Sequence, residues 1–390
     1  MNIRSKSFAS LALAVCALLP MTACSGGGDS SSETIKIAVI APLTGPSADA
    51  AKQIVNGAKL AVKEVNAAGG IDGKQLSVEV YDDKLTAETA AKVAQRAITV
   101  DKASAVIGGL SSAEGLAIRE VAERTKTVYI NPASAAAGVT DGAEYSFRIA
   151  ATTSQTANAV VDIANALGAK SIGILYDNGG VGPALRDSYQ TRAKERGITF
   201  SAVQYTLGST DMSGPVRSIA KTNPEAVLIA GSGNADYGLI PKTMLEQGLK
   251  KHVVGMSGTG SPDAIAIGSA AFDALGGYFV QSRDVNRPGY QKFIAAYEKE
   301  FGAEKTYSDT GSATYDAVHI LALALKASKG EFGDALVKAL EALPPYEGAQ
   351  GRDGAPISFA KGHDGLQGDF QTVYTIKGGK IVPADITLSQ

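Results

Sequence analysis

Cysteine is almost absent from this 390-residue chain: Cys16 and Cys24 occur near the start and none follows. An exported chain without disulfides must be stabilised by core burial, which this length can supply. Histidine is equally sparse. His252, His319 and His363 lie far apart in sequence, show no metal-ligand spacing, and read as ordinary surface or core residues. An excess of positive charge is missing too, with 37 Lys and Arg against 39 Asp and Glu. No basic footprint for nucleic acid results. After the first two dozen residues no apolar run approaches membrane-spanning length; the nearest, Val318–Leu325, contains His319 and ends at Lys326.

Catalytic motifs are also lacking. Gly255-Met256-Ser257-Gly258-Thr259 has no second glycine where a nucleophile elbow needs one. Gly231-Ser232-Gly233-Asn234-Ala235-Asp236 opens like a dinucleotide fingerprint, but Asp236 stands at the third glycine. No phosphate-binding loop ending in Lys-Ser/Thr exists. The sequence gives no reason to expect an enzyme, a cofactor or a metal.

What is there begins at the amino end. Arg4 and Lys6 precede an apolar stretch from Phe8 to Leu19, then Met21-Thr22-Ala23-Cys24 and a Gly/Ser-rich segment. The arrangement resembles a bacterial lipoprotein signal, in which Cys24 becomes the lipidated first residue; Met21 departs from the leucine more common there. Residues 24–34 read as a flexible tether. Removing residues 1–23 takes two basic residues with it and leaves 367 residues with a net charge near −4. The expectation is an exported protein, lipid-anchored to the outer face of the cytoplasmic membrane or periplasmic, and working as a monomer.

From Thr34 onward short β-branched runs alternate with helical patterns. Strands are expected at 35–40, 76–80, 105–107 and 128–130, with helices over 54–67, 86–100 and 113–126. After Tyr145–Ile149 the pattern restarts: helix 154–167, strand 171–176, helix 183–196, strand 198–205, helix 212–222, strand 226–230, helix 236–247 and strand 252–255. Helices 288–301, 311–328 and 332–342 follow, and then strand-like stretches interrupted by glycine from Phe359 to Val382. The fold class is α/β, with two doubly wound lobes.

Small polar residues gather where strands end. Ser111 and Glu114 fit a capping box at a helix start, and the free amides there, with the Ser112 hydroxyl, could equally hold an anion. The Asn131-Pro132-Ala133-Ser134-Ala135 loop leaves the next strand at the same sheet edge, where ligands of such sheets settle. The residues alone leave open whether Ser112 touches ligand or only caps.

Several segments together resemble the leucine/isoleucine/valine-binding family of ABC-transporter solute receptors. They are Ile35-Lys-Ile-Ala-Val-Ile-Ala-Pro-Leu-Thr-Gly45-Pro46, Asn56-Gly57-Ala58, Val65-Asn66-Ala-Ala-Gly-Gly70-Ile71-Asp72-Gly73, Tyr81-Asp82-Asp83, Ile107-Gly108-Gly109 and Ala313-Thr314-Tyr315-Asp316-Ala317-Val318. The likeness runs from about Thr34 to Val382. It implies the type I periplasmic-binding-protein fold, with lobe 1 at 35–150 and 284–357 and lobe 2 at 151–283 and 358–390. The crossings would fall near 150–154, 281–284 and 357–361, and a small-molecule ligand would be enclosed between the lobes and passed to an ABC permease.

By position, the resemblance implies a ligand carboxylate held at Ser112, with Ser111 beside it, and by groups at Ala133 and Ala135. In the second lobe Val181 replaces an aromatic contact, Gly233 and Asn234 fall where tyrosine is common, and Ser257 stands where a carboxylate receives the ligand's ammonium. Ala50 replaces a bulkier residue. These changes imply a wider cleft with one negative charge fewer, unless Asp177 or Asp236, which read as a solvated turn residue and a helix-start residue, compensate. A sensory lipoprotein without transport is the alternative; an exported α/β hydrolase would need a nucleophile that is not recognisable here.

Overall fold

The computed structural model describes residues 34–45, 47–179, 181–304 and 308–388. The leader, the lipidation candidate Cys24 and most of the tether lie outside the described residues. No helix among the described residues is long and apolar enough to cross a membrane.

The first sheet begins with β1 (Ile35–Ala41), followed by α1 (Ala48–Ala67), β2 (Leu76–Asp82), α2 (Ala87–Thr99), β3 (Ala105–Gly108), α3 (Ser112–Thr125), β4 (Val128–Asn131) and β5 (Ser146–Arg148). Its order is β2-β1-β3-β4-β5, parallel throughout. β1 is apolar at nearly every position because it is covered on both faces, the signature of a central parallel strand. Ile37 and Val39 meet Ile54, Ala58 and Ala61 of α1, while Ala38 and Ile40 meet Ala90 and Ala94 of α2. Each fully buried Ile or Val there contributes about 1.5–3 kcal/mol. Three later helices, α9 (Pro288–Phe301), α10 (Asp309–Ala327) and α11 (Asp334–Ala342), return to this core through Phe293, Tyr297, Leu321 and Leu336. Gly57 lets α1 and α10 touch: a Cβ there would lie 2.2 Å from the Gly311 carbonyl oxygen.

The second sheet carries α4 (Thr153–Ala166), β6 (Ser171–Asp177), α5 (Gly182–Glu195), β7 (Thr199–Tyr205), α6 (Ser213–Ala220), β8 (Ala226–Ala230), α7 (Asp236–Glu246), β9 (His252–Gly255), α8 (Pro262–Leu275) and β10 (Gly277–Gln281). The hairpin of β11 (Thr372–Lys377) and β12 (Lys380–Pro383) completes the order β12-β11-β10-β9-β8-β6-β7. The strands from β7 to β10 are parallel, and β11 and β12 add antiparallel. Gly378 and Gly379 (φ 57° and 71°) make the two-residue turn, which requires positive φ at both positions. Helices again cover both faces: α4 and α5 pack through Val160 and Tyr189, and α6, α7 and α8 through Ile219, Met244 and Phe272.

The α/β class with two parallel sheets is as the sequence implies, and two details differ. The sequence reading assigned no element between 256 and 287, where α8 and β10 lie. In α8 the buried side is Ala264, Gly268, Ala271 and Phe272, but Ile267 faces outward, so no apolar stripe stands out. Residues 359–370 form no strand. Phe359, Leu366 and Phe370 instead pack into the first core, Asp364 pairs with Arg148 at the end of β5, and the chain joins the second sheet only at Thr372.

Candidate functional site

Asn131, fully buried at the end of β4, organises the edge of the first sheet. Its amide donates to the carbonyls of Gly108 (2.9 Å) and Gly109 (3.1 Å), and its oxygen accepts from the backbone of Ala133 (3.0 Å) and Ser134 (2.5 Å). One side chain thus ties the turn after β3 to the 132–135 loop. The first turn of α3 carries the expected capping box: Ser111 Oγ accepts from Glu114 N (3.4 Å) and Glu114 Oε2 accepts from Ser111 N (2.6 Å). Behind it Asp83 is fully buried. Burial, then its neighbour Glu114, pushes its carboxyl up to about 8, so it is protonated at neutral pH.

Three crossings connect the two sheets, and side chains tie them together. Thr152 and Gln155 cap α4 reciprocally, and Gln155 Nε2 donates to the Leu366 carbonyl at 2.9 Å. Arg148, fully buried, pairs with Asp364 at 2.7 Å and donates to the Ala136 carbonyl at 2.6 Å. At the end of β10 the Arg283 guanidinium pairs with Asp309, the first residue of α10, and lies 5.6 Å from the Tyr290 ring centroid. The second oxygen of Asp309 accepts from Ser282 N (3.1 Å), and Gln350 Nε2 donates to its backbone carbonyl (2.5 Å). Asp316, wholly buried, accepts from the backbone of Ala349 (2.9 Å) and Gln350 (2.8 Å), and burial pushes it up to about 7.

Between the sheets, over these crossings, lies a cavity of about 660 Å³. The first lobe lines it with the 132–135 loop, Tyr290 and the start of α10; the second lobe with Asn234, the turn after β9 and the start of α8; the crossings with Ile149–Ala151, Gln281–Arg283 and Gln371. Among the described lining residues Arg283 and Asp309 are the only charged ones, and they pair with each other.

Of the residues singled out from sequence, Ala133, Ala135, Asn234 and Ser257 line this cavity. Ser111, Ser112 and Val181 do not; Ser112 is exposed at the start of α3, and Val181 is exposed at the start of α5. Ala50 and Gly233 are outside the lining as well, and the room beside Gly233 is already taken, since a Cβ there would sit 2.5 Å from Asp236 Oδ2. Asp177 and Asp236, expected to be solvated, are buried. Asp177 accepts from Gly179 N (3.0 Å), Ser232 N (2.7 Å) and Ser232 Oγ (2.9 Å), so strand-end backbone occupies it rather than water. Neither faces the cavity. The crossing residues Gln281, Arg283, Gln350 and Gln371 escaped sequence reading, because only the folded backbone brings 281–283, 350 and 371 together. Among the described residues no group of three or more potential ligands is placed to hold a metal.

Two sheets of matching design, three crossings and a shared cavity define a two-lobed solute-binding protein of periplasmic type I. The chain belongs to the periplasmic binding protein family, which residues 34–379 match. It is similar to Leu/Ile/Val-binding protein homolog 7 of Brucella melitensis, with 29% identity over 351 residues, 85% of this chain and 86% of that one. Among solved structures it is similar to the branched-chain amino acid transporter substrate-binding protein LivJ of Streptococcus pneumoniae in complex with isoleucine. That likeness has a TM-score of 0.76, 25% identity, and covers 92% of this chain and all of that one. It is also similar to a solute-binding protein of an ABC transporter from Rhodopseudomonas palustris in complex with 3,4-dihydroxybenzoic acid (TM-score 0.73, 25% identity, 90% and 96% covered).

Proposed function

We propose that this protein is an exported receptor, tethered by lipid on Cys24, that captures a small organic ligand between its lobes and delivers it to an ABC importer. The ligand is an amino-acid-like acid or an amide. The observation that carries the reading is the cavity of about 660 Å³ between the sheets, within the usual range of about 300–1,000 Å³ for small-molecule sites. Relatives of the same frame hold isoleucine in one case and an aromatic acid in another, so the architecture accommodates different ligands. Ligand touching both lobes favours the closed state by its differential affinity for that state. Closure also carries the amino end of α3, with Ser111 and Ser112, toward the ligand's polar end.

Small-angle scattering with and without a stabilising ligand tests this. The radius of gyration falls on binding, and ligand at about 100 times its dissociation constant adds roughly 2.7 kcal/mol of stability. Confirmed binding with an unchanged radius would remove the closure mechanism. Cys24→Ala should release the protein from membranes; equal membrane retention would refute the anchor.

A further inference from the structure

Three glutamines line the cavity at the crossings, and two of them spend no side-chain polar group on the fold. Gln281 ends β10, Gln371 precedes β11, and both line the cavity while being only 9% and 6% exposed. Among the described residues neither side-chain carboxamide has a hydrogen-bond partner. Gln350, also in the lining and fully buried, uses its Nε2 on the Asp309 carbonyl and on Ser312 Oγ (2.7 Å), which leaves its Oε1 without a partner. Asp316 accepts from the backbone N–H of this residue with one oxygen and from that of Ala349 with the other. Buried polar groups left unpaired are costly, and the cost grows once a cleft closes and excludes water.

What would pair with them follows from their inventory. Gln281 and Gln371 each offer two donors and one carbonyl acceptor. An ammonium has only donors and would leave the glutamine NH₂ groups bare. It would also find no free counter-charge, since Asp309 is held by Arg283 and Ser282, while Asp177 and Asp236 stand outside the cavity. A carboxylate has only acceptors, leaves the Gln281 and Gln371 carbonyl oxygens unmatched, and meets an Arg283 already paired. A carboxamide or ureido group has both kinds and satisfies both. We propose that Gln281, Gln350 and Gln371 form the polar floor of the ligand site and that the ligand presents an uncharged carboxamide or ureido end to it. This inference rests on the solute-binding reading above.

The test is calorimetry and thermal shift on the full-length protein with compounds that share a tail and differ at the polar end: 4-methylpentanamide, 4-methylpentanoate, leucine and isopentylammonium, and the benzyl-tailed equivalents. The amides should bind at least about tenfold more tightly than the matched acid, zwitterion and cation. Gln281→Leu and Gln371→Leu should each remove about tenfold of amide affinity while the free protein melts no lower than the wild type. Gln281→Glu should move preference toward the ammonium. Leucine or the carboxylate binding as tightly as the amide overturns the carboxamide assignment and leaves the receptor reading standing; amide binding insensitive to both Leu variants overturns the assignment of the glutamines. If neither these compounds nor a broad panel of metabolites shifts the melting temperature, the receptor reading itself falls.

Discussion

Asp309→Asn is the sharpest single probe of how the crossings are held. The substitution keeps size and an oxygen for Ser282 N–H, but it removes the charge facing Arg283. That guanidinium is 7% exposed and the Asp309 carboxylate 29%. Removing one partner of a fully buried pair costs about 3–5 kcal/mol, because the remaining charge stays desolvated. Here one partner is partly solvated, and exposed pairs are worth only about 0–1 kcal/mol, so about 2–3 kcal/mol is the expectation. Arg283→Met should cost less, since the freed carboxylate can hydrate, although the contact with Tyr290 changes. The double variant should be more stable than the two single losses predict, by roughly 1–2 kcal/mol of coupling. Urea unfolding of the four proteins at pH 7 measures this, and the loss in Asp309→Asn should change little between 0.15 M and 1 M salt because Arg283 is screened poorly inside the protein. A loss under about 0.5 kcal/mol, or additive single variants, would show that the pair does not hold the second crossing.

Gly57→Ala should destabilise by about 1–3 kcal/mol, read as a lower urea midpoint, because its methyl would collide with the Gly311 carbonyl where α1 crosses α10; an unchanged midpoint would mean the helices can part freely. Asp83 holds its proton more tightly folded than unfolded, so between about pH 4 and pH 8 the folded state binds more protons and the wild type loses stability as pH rises. Asp83→Asn removes that titrating carboxyl at nearly the same size, so its stability should be flatter over that range; parallel pH profiles for the two proteins would refute a raised Asp83 carboxyl. Ser112→Ala should weaken ligand binding about tenfold or more if closure brings that hydroxyl onto the ligand. Equal affinity would leave this helix start with a capping role alone.

Much of the architecture was legible in the sequence because local physics writes it there. β1 could be read as a strand from its β-branched content, and the capping box of α3 from Ser111 and Glu114 alone, since both depend on neighbours a few residues away. The α/β order, the restart after Ile149 and the 132–135 loop at a sheet edge follow from the same short-range patterns. The tertiary structure decided what depends on distant segments meeting. Whether Asp177 and Asp236 are solvated or sealed under neighbouring strands could not be read from their turn-like surroundings, and they proved buried. α8 stayed hidden because Ile267 breaks its stripe. The floor of the cavity combines Gln281, Gln350 and Gln371 from separate stretches of chain, and no local rule distinguishes a glutamine that will face a cavity from one that will face water. Local sequence therefore set the strands, helices and caps, while the packing of two sheets around three crossings chose which polar side chains are left buried and free to bind.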